Sequence, residues 1–276
     1  MTPRAWARAL ALLAALAAPA WSQSRAASRE KTAPPRLALI PGGEFWMGSP
    51  EGVGSADEHP RHKVYVSAFR MDRFDVTAQE YAACVKAGRC SPPGTGKLCN
   101  SGVAARAKDP VNCVSWQQAE SYCESLGQRL PTEAEWEKAA RGGAETRWSF
   151  GDDSPMLGSY AWYAANAGGS THPVGMKQPN QYGLYDMAGN VWQWVWDRYI
   201  PQYYQASPAK DPQGPLAAHN HVLRGGSWKN YAASSRAAIR YWVDPDLSDE
   251  TAGFRCAAPA SGRAKAPAEP PSSGRS

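Results

Sequence analysis

The chain has 276 residues, 43% of them hydrophobic and 11% aromatic, with 12 Trp, 12 Tyr, 25 Gly and 23 Pro and a mean hydropathy of −0.53. This composition fits one large, soluble, loop-rich domain with an aromatic core. The formal net charge is +5, but residues 37–258 carry 21 basic against 23 acidic side chains, a net −2, so no nucleic-acid surface is expected.

Arg4 and Arg8 precede an apolar run from Ala9 to Ala18, and small residues follow at Ala18, Ala20 and Ser22. This reads as a secretory signal peptide over 1–22, cleaved after Ala20 or Ser22. The run falls short of the roughly 20 apolar residues that a membrane span needs. A Pro/Ala/Ser-rich linker over 23–36 and a similar tail over 259–276 hold the excess of basic charge, and both are expected to be disordered. The folded domain is placed at 37–258.

Residues Leu37 to Gly48 alternate apolar side chains around Pro41-Gly42-Gly43, which predicts a β-hairpin. His62 to Phe69 predicts a strand with Val64, Val66 and Ala68 on one face. A helix follows over 75–88, where Thr77 and Glu80 have capping-box spacing and Tyr81, Cys84 and Val85 form the inward face. Cys90 to Asp109 reads as a loop stapled by cysteines. A second helix over 115–126 is capped by Ser115 with Gln118 and turns Trp116, Ala119, Cys123 and Leu126 inward. A third over 132–140 is capped by Thr132 with Glu135 and ended by Gly142-Gly143. Beyond it, short aromatic segments alternate with turns up to Phe254. The fold class is α+β, compact and irregular, with few helices and short strands.

Six cysteines in an exported chain predict three disulfides. No C-x2-C knuckle is present, so zinc is not expected. His59-x2-His62 reads as packing or a turn hydrogen bond and not as a metal site. His219-x-His221 lies in a polar stretch and is expected at the surface. Glu133, Glu135 and Glu137 fall in the first turns of a helix, where they complement its macrodipole. Trp192, Trp194 and Trp196 alternate as strand residues do and are expected in the core.

Several stretches together resemble one family. They include Asp109 to Trp116 (DPVNCVSW), Arg129 to Glu137 (RLPTEAEWE), Gly183 to Trp192 (GLYDMAGNVW), Arg224 to Trp228 (RGGSW) and Gly253-Phe254-Arg255. The chain resembles the sulfatase-modifying factor family, whose best-known members are formylglycine-generating enzymes, over nearly all of 37–258. The resemblance implies a relative of the C-type lectin fold. It also implies a disulfide between Cys123 and Cys256. For the other four cysteines two pairings stay open: Cys84–Cys90 with Cys99–Cys113, or Cys84–Cys113 with Cys90–Cys99.

The formylglycine-generating enzymes hold copper on two cysteines, the third and eighth residues after the Gly-Gly-Ser serine. Counting from Ser227, this chain has Asn230 and Ser235 there. Neither offers the soft thiolate that holds Cu(I), so copper is not expected. The resemblance implies a calcium site at Asp186, Gly189, Val191 and Gln193, where Gln193 replaces a glutamate and weakens it. A second calcium site would begin at Asn166 and Ala167, but Gly168 to Thr171 is short and lacks an acid. The implied pocket comprises Ser227, Asn230, Ser235, Arg236, Arg240 and Trp192.

Three functions follow as expectations. The first is an exported binding or accessory module whose lectin-like pocket takes a peptide, glycan or small anion. The second is a periplasmic oxidoreductase or maturation enzyme of the same family, in which Arg236 and Arg240 orient an anionic substrate. The third is a structural partner in the cell envelope.

Overall fold

The computed structural model describes residues 36–261. The expected signal peptide and nearly all of the linker and tail lie outside the described residues. Arg36, the last linker residue, is tied down: Nε donates to Asp72 Oδ1 at 2.9 Å and Nη1 to Glu80 Oε1 at 2.6 Å.

Residues 37–47 do not pair with each other as a hairpin. β1 (Leu37–Ile40) pairs antiparallel with β4 (Phe69–Asp72), whereas β2 (Gly43–Met47) pairs antiparallel with β3 (His62–Val66). Pro41 and Gly42 therefore pass the chain from one sheet to another. A Cβ built at Gly42 would meet the Ala68 amide nitrogen at 2.9 Å, so the crossing needs glycine. The predicted strand over 62–69 is broken at the same place: Val64 and Val66 are buried, but Ala68 is exposed between β3 and β4. β9 (Ala257–Pro259) completes the first sheet in the order β1-β4-β9.

The three predicted helices form with their predicted caps. α1 (Ala78–Lys86), α2 (Trp116–Ser125) and α3 (Glu133–Arg141) each begin with a closed capping box, at Thr77/Glu80, Ser115/Gln118 and Thr132/Glu135. The N-cap hydroxyl takes an otherwise unpaired amide and the third residue's side chain returns the bond. Gly142 ends α3 at φ 61°. Leu126 lies past the end of α2 and is 42% exposed, so it does not join the inward stripe. A short helix, α4 (Leu157–Tyr160), was not foreseen.

The third sheet has the order β7-β6-β5-β8, from β7 (Tyr241–Val243), β6 (His221–Arg224), β5 (Trp192–Arg198) and β8 (Ala252–Gly253). β8 runs parallel to β5; the other pairs are antiparallel. One apolar cluster gathers Ile40, Met47, Val64, Phe69 and Trp136. A second gathers Tyr81, Trp116, Cys123, Trp194 and Phe254. α3 contacts β2, β3, β5 and β6, and all nine of its side chains are buried.

Three disulfides close the framework: Cys84–Cys90, Cys99–Cys113 and Cys123–Cys256. The last joins α2 to the residue that precedes β9. The other two take the first of the two open pairings.

Candidate functional site

β6 carries Arg224 into the interior, and Gly225-Gly226 then turns the chain at φ 98° and 77°. A Cβ at Gly226 would meet the Ser234 carbonyl oxygen at 2.7 Å, because a 3-10 turn at Ala232–Ser235 packs directly on it. Ser227 is fully buried and closed upon its own loop. Its Oγ donates to Asn230 Oδ1 at 2.6 Å, and its amide donates to the same oxygen at 3.1 Å. Asn230 thus serves as the latch of this turn. Ser235 is also buried, but its Oγ has no hydrogen-bond partner among the described residues.

The next residues form a wall between two cavities. Arg236 is extended, at φ −69° and ψ 147°, and the Ala237 amide donates to the Arg147 carbonyl at 2.8 Å. Side chains of an extended segment alternate between its faces. Ser235 and Ala237 accordingly line a narrow cleft with Trp148, Phe150, Tyr160 and Asp186. Arg236 and Ala238 line a second cavity of about 340 Å³ with Ser49, Arg141, Thr146, Arg147 and Asp152. The aromatic side of the cleft is ordered by stacking, with Phe150 at 5.5 Å from Trp148 and 4.4 Å from Tyr160 between ring centroids. Trp148 Nε1 and Asp186 Oδ1, from two further residues of this cleft, are buried without partners among the described residues as well.

Behind the wall lies a buried ionic network. Arg240 donates from Nε and Nη2 to the two carboxylate oxygens of Glu133, at 2.8 and 3.0 Å, and from Nη1 to the Asp57 carbonyl at 2.9 Å. Its guanidinium also lies against the rings of Tyr199 and Tyr204. Arg224 donates to Glu133, to Glu137 and to the carbonyls of Ala237 and Ala238. Arg141 holds the other side of Glu137 at 2.7 Å. Burial pushes the Glu137 carboxyl up, but Arg141, Arg224 and the Gly48 amide outweigh it and hold it below its ordinary value. Burial and the Glu133 charge push Asp197 well up; its Oδ2 accepts from the Glu133 amide at 2.7 Å.

The structure redistributes the expected pocket. Arg240 is 5% exposed and fully engaged with Glu133, so it ties the core and does not face a ligand. Arg236 borders the large cavity, but its fork is closed on Glu58 through two bonds of 2.8 Å. Burial raises Glu58, and Arg236, Ser49 and Ser55 more than offset this, leaving its carboxyl below the ordinary value. Trp192 stacks on Tyr241 within the second apolar cluster and lines neither cavity. Ser235 and Arg236 are the expected residues that reach a cavity wall.

Glu133 and Glu137 do more than complement a helix end: they are 1% and 0% exposed and anchor three arginines. Glu135 closes the cap and pairs with Arg129 at 2.6 Å. His221 is not at the surface either. It is 3% exposed, its Nδ1–H donates to the Trp196 carbonyl at 3.1 Å, and its ring lies 4.0 Å from that of Trp116. Burial, with the nearby Arg198 charge, lowers its pKa to about 4. His219 is exposed beside Asp244, as expected. His59 and His62 make turn hydrogen bonds to the Val53 and Pro60 carbonyls. Trp194 is fully buried in the core, with Trp196 packed partly buried beside it.

Several of the implied calcium residues are engaged in hydrogen bonds of their own. Gln193 Oε1 accepts from Trp136 Nε1 at 2.7 Å and from Arg255 Nε at 2.8 Å, while its Nε2 donates to the Asp186 carbonyl at 2.8 Å. Its amide is therefore committed on both sides, and a guanidinium stands against the oxygen that a cation would need. Gly189 packs under the Trp162 carbonyl and donates its amide to Gly225; Val191 is buried. At the second set, Asn166 closes its own turn on Tyr163 and Ala161, and the Ala167 carbonyl accepts from His172 Nε2. Asp186 Oδ1, by contrast, is buried and has no hydrogen-bond partner among the described residues.

Comparison with known proteins places this framework. Residues 22–260 match the sulfatase-modifying factor enzyme 1-like domain. A formylglycine-generating enzyme of Streptomyces coelicolor is 35% identical, with 79% of this chain and 87% of that protein covered. The serine/threonine-protein kinase pkn1 of Chlamydia pneumoniae is 37% identical over 80% of this chain, which spans only 37% of that protein. Among solved structures, PvdO from Pseudomonas aeruginosa superimposes with a TM-score of 0.72 at 29% identity, covering 80% of this chain and 93% of that one. The chain belongs to the sulfatase-modifying factor enzyme 1-like family.

Proposed function

We propose that this chain is an exported binding or accessory member of the family and does not generate formylglycine through a two-thiolate copper site. The observation that carries this reading is the chemistry at Asn230 and Ser235. One is an amide latched to Ser227, the other a buried hydroxyl, and all six cysteines are committed to disulfides. Cu(I) is held by soft ligands that neither residue supplies. A mouse relative, 30% identical over 84% of this chain, is named an inactive Cα-formylglycine-generating enzyme. Export is supported by the signal-like segment and by three disulfides. The ligand is taken at the wall formed by Ser235 to Ala238, whose two faces open into the cavities. No calcium is needed on this reading.

The test is a Cu(I) titration of the oxidised protein, followed by incubation with a cysteine peptide and oxygen. Neither stoichiometric copper nor formylglycine should appear. The double variant Asn230→Cys/Ser235→Cys should gain Cu(I) binding. Tight copper binding with peptide oxidation by the unaltered chain overturns the proposal. A calcium titration should leave the melting temperature unchanged; an upward shift would restore a calcium site.

A further inference from the structure

The cavity behind Arg236 holds two opposite charges that do not meet. Arg147 is exposed on its rim, and its guanidinium makes no hydrogen bond or ion pair among the described residues. Asp152 lines the same cavity and is also exposed. Its Oδ1 accepts the Arg147 backbone amide at 2.8 Å, which fixes the carboxyl across the tight turn where Trp148 and Gly151 bridge. The turn positions the Asp152 carboxyl and forms no ion pair between the two side chains.

The remaining charges of the cavity are already balanced. Arg236 faces Glu58, Arg141 faces Glu137, and Glu145 is taken by Arg61 at 2.7 Å. These pairs hold two guanidinium planes rigidly along the wall. Arg141 Nη1 donates only to the Thr146 carbonyl and Arg236 Nη2 only to Glu58, so each retains an N–H beyond its ion pair. Thus the cavity presents one uncompensated guanidinium, one uncompensated carboxylate and edges of two fixed guanidiniums. Its volume of about 340 Å³ falls in the range of small-molecule sites.

We propose that this cavity binds a small zwitterion: its carboxylate on Arg147, beside the edges of Arg141 and Arg236, and its ammonium on Asp152. A planar fork suits a carboxylate, and a fixed carboxyl suits an ammonium group. The ligand is an α-amino acid or a short peptide, which share this chemistry. The inference deepens the binding reading above and rests on it. The two fail separately, because copper-dependent oxidation overturns the function while leaving the cavity's ligand to be measured.

The experiment is isothermal titration of the full chain with the free proteinogenic amino acids and with di- and tripeptides. One of these two groups should bind, and which one does identifies the source. Arg147→Gln should weaken binding by about tenfold or more. Asp152→Asn, which keeps the oxygen that accepts the Arg147 amide, should weaken the amine-bearing ligand similarly. It should leave the affinity of the N-acetylated form, already weaker in the unaltered chain, unchanged. Circular dichroism and melting temperature should match the unaltered chain for both exposed substitutions. The proposal is overturned if no member of the panel binds, if the N-acetylated ligand binds as well as the zwitterion, or if either substitution leaves zwitterion affinity intact.

Discussion

Glu133 is the side chain on which the interior charge balance turns. It accepts two of the three hydrogen bonds of Arg240 and one from Arg224 at 3.2 Å, at 1% exposure. Glu133→Gln preserves its size and one acceptor but removes the charge. Arg240 then keeps no carboxylate partner among the described residues, and Arg224 keeps only Glu137, which Arg141 also holds. Breaking a buried pair by removing one partner costs about 3–5 kcal/mol, since the remaining charge stays desolvated. For a domain of this size that lowers the melting temperature by roughly 6–20 °C. Urea unfolding of Glu133→Gln against the unaltered chain reads the loss directly, provided the denaturant slope stays constant. Glu145→Gln is the control: its pair with Arg61 is 66% exposed on the glutamate side and should change stability by less than about 1 kcal/mol. A loss under about 1 kcal/mol for Glu133→Gln would refute the claim that this network carries uncompensated charge when cut.

The disulfides should differ by the length of chain they close. Replacing Cys123 and Cys256 by alanine, 133 residues apart, should cost about 5 kcal/mol, and replacing Cys84 and Cys90, six apart, about 2 kcal/mol. Equal losses in urea unfolding would contradict the chain-entropy account here. His221 binds a proton near its ordinary pKa when unfolded but only near about 4 when folded. The unfolded state therefore binds more protons across that window. The stability is full above the unfolded value and falls by about 3 kcal/mol as pH drops through the window to 4. The difference in unfolding free energy between His221→Gln and the unaltered chain should shrink along that descent; a difference constant with pH would exclude His221 as a cause. Gly226→Ala, at φ 77° against the Ser234 carbonyl, should destabilise by more than about 1 kcal/mol in the same assay. A neutral effect would mean that the turn at Ala232–Ser235 yields freely.

Much of the helical part was legible because its signals are local. Thr77 with Glu80, Ser115 with Gln118 and Thr132 with Glu135 each sit three residues apart, and each closed as its spacing predicts. Strand pairing is a contact between distant residues, and periodicity carries no partner. Leu37 to Met47 has the alternation of a hairpin, yet its halves pair with 69–72 and 62–66. The ionic network was missed for a related reason. A run of glutamates at a helix start is ordinarily a solvated face. Only the packing of sheets around α3 removes the solvent, and Arg224 and Arg240 from elsewhere join Arg141 of the same helix to supply the compensation. One signal was available: Arg224 and Arg240 stand in a stretch rich in Gly and Ala, where few side chains could shield them from carboxylates across the core. His221 was likewise read from polar neighbours, although β6 buries it against Trp116.

The alternation along Ser235 to Ala238 gives this short segment a reading frame. Its odd residues border an aromatic cleft and its even residues a charged cavity. Inserting or deleting one residue there would exchange the two sets in a single step, sending Arg236 toward Trp148 and Ser235 toward Arg147. Point substitution can tune each chamber independently, whereas a shift in length must rewrite both together. Diversification of this wall is therefore expected through changes of residue at fixed length, with each chamber drawing on its own half of the positions.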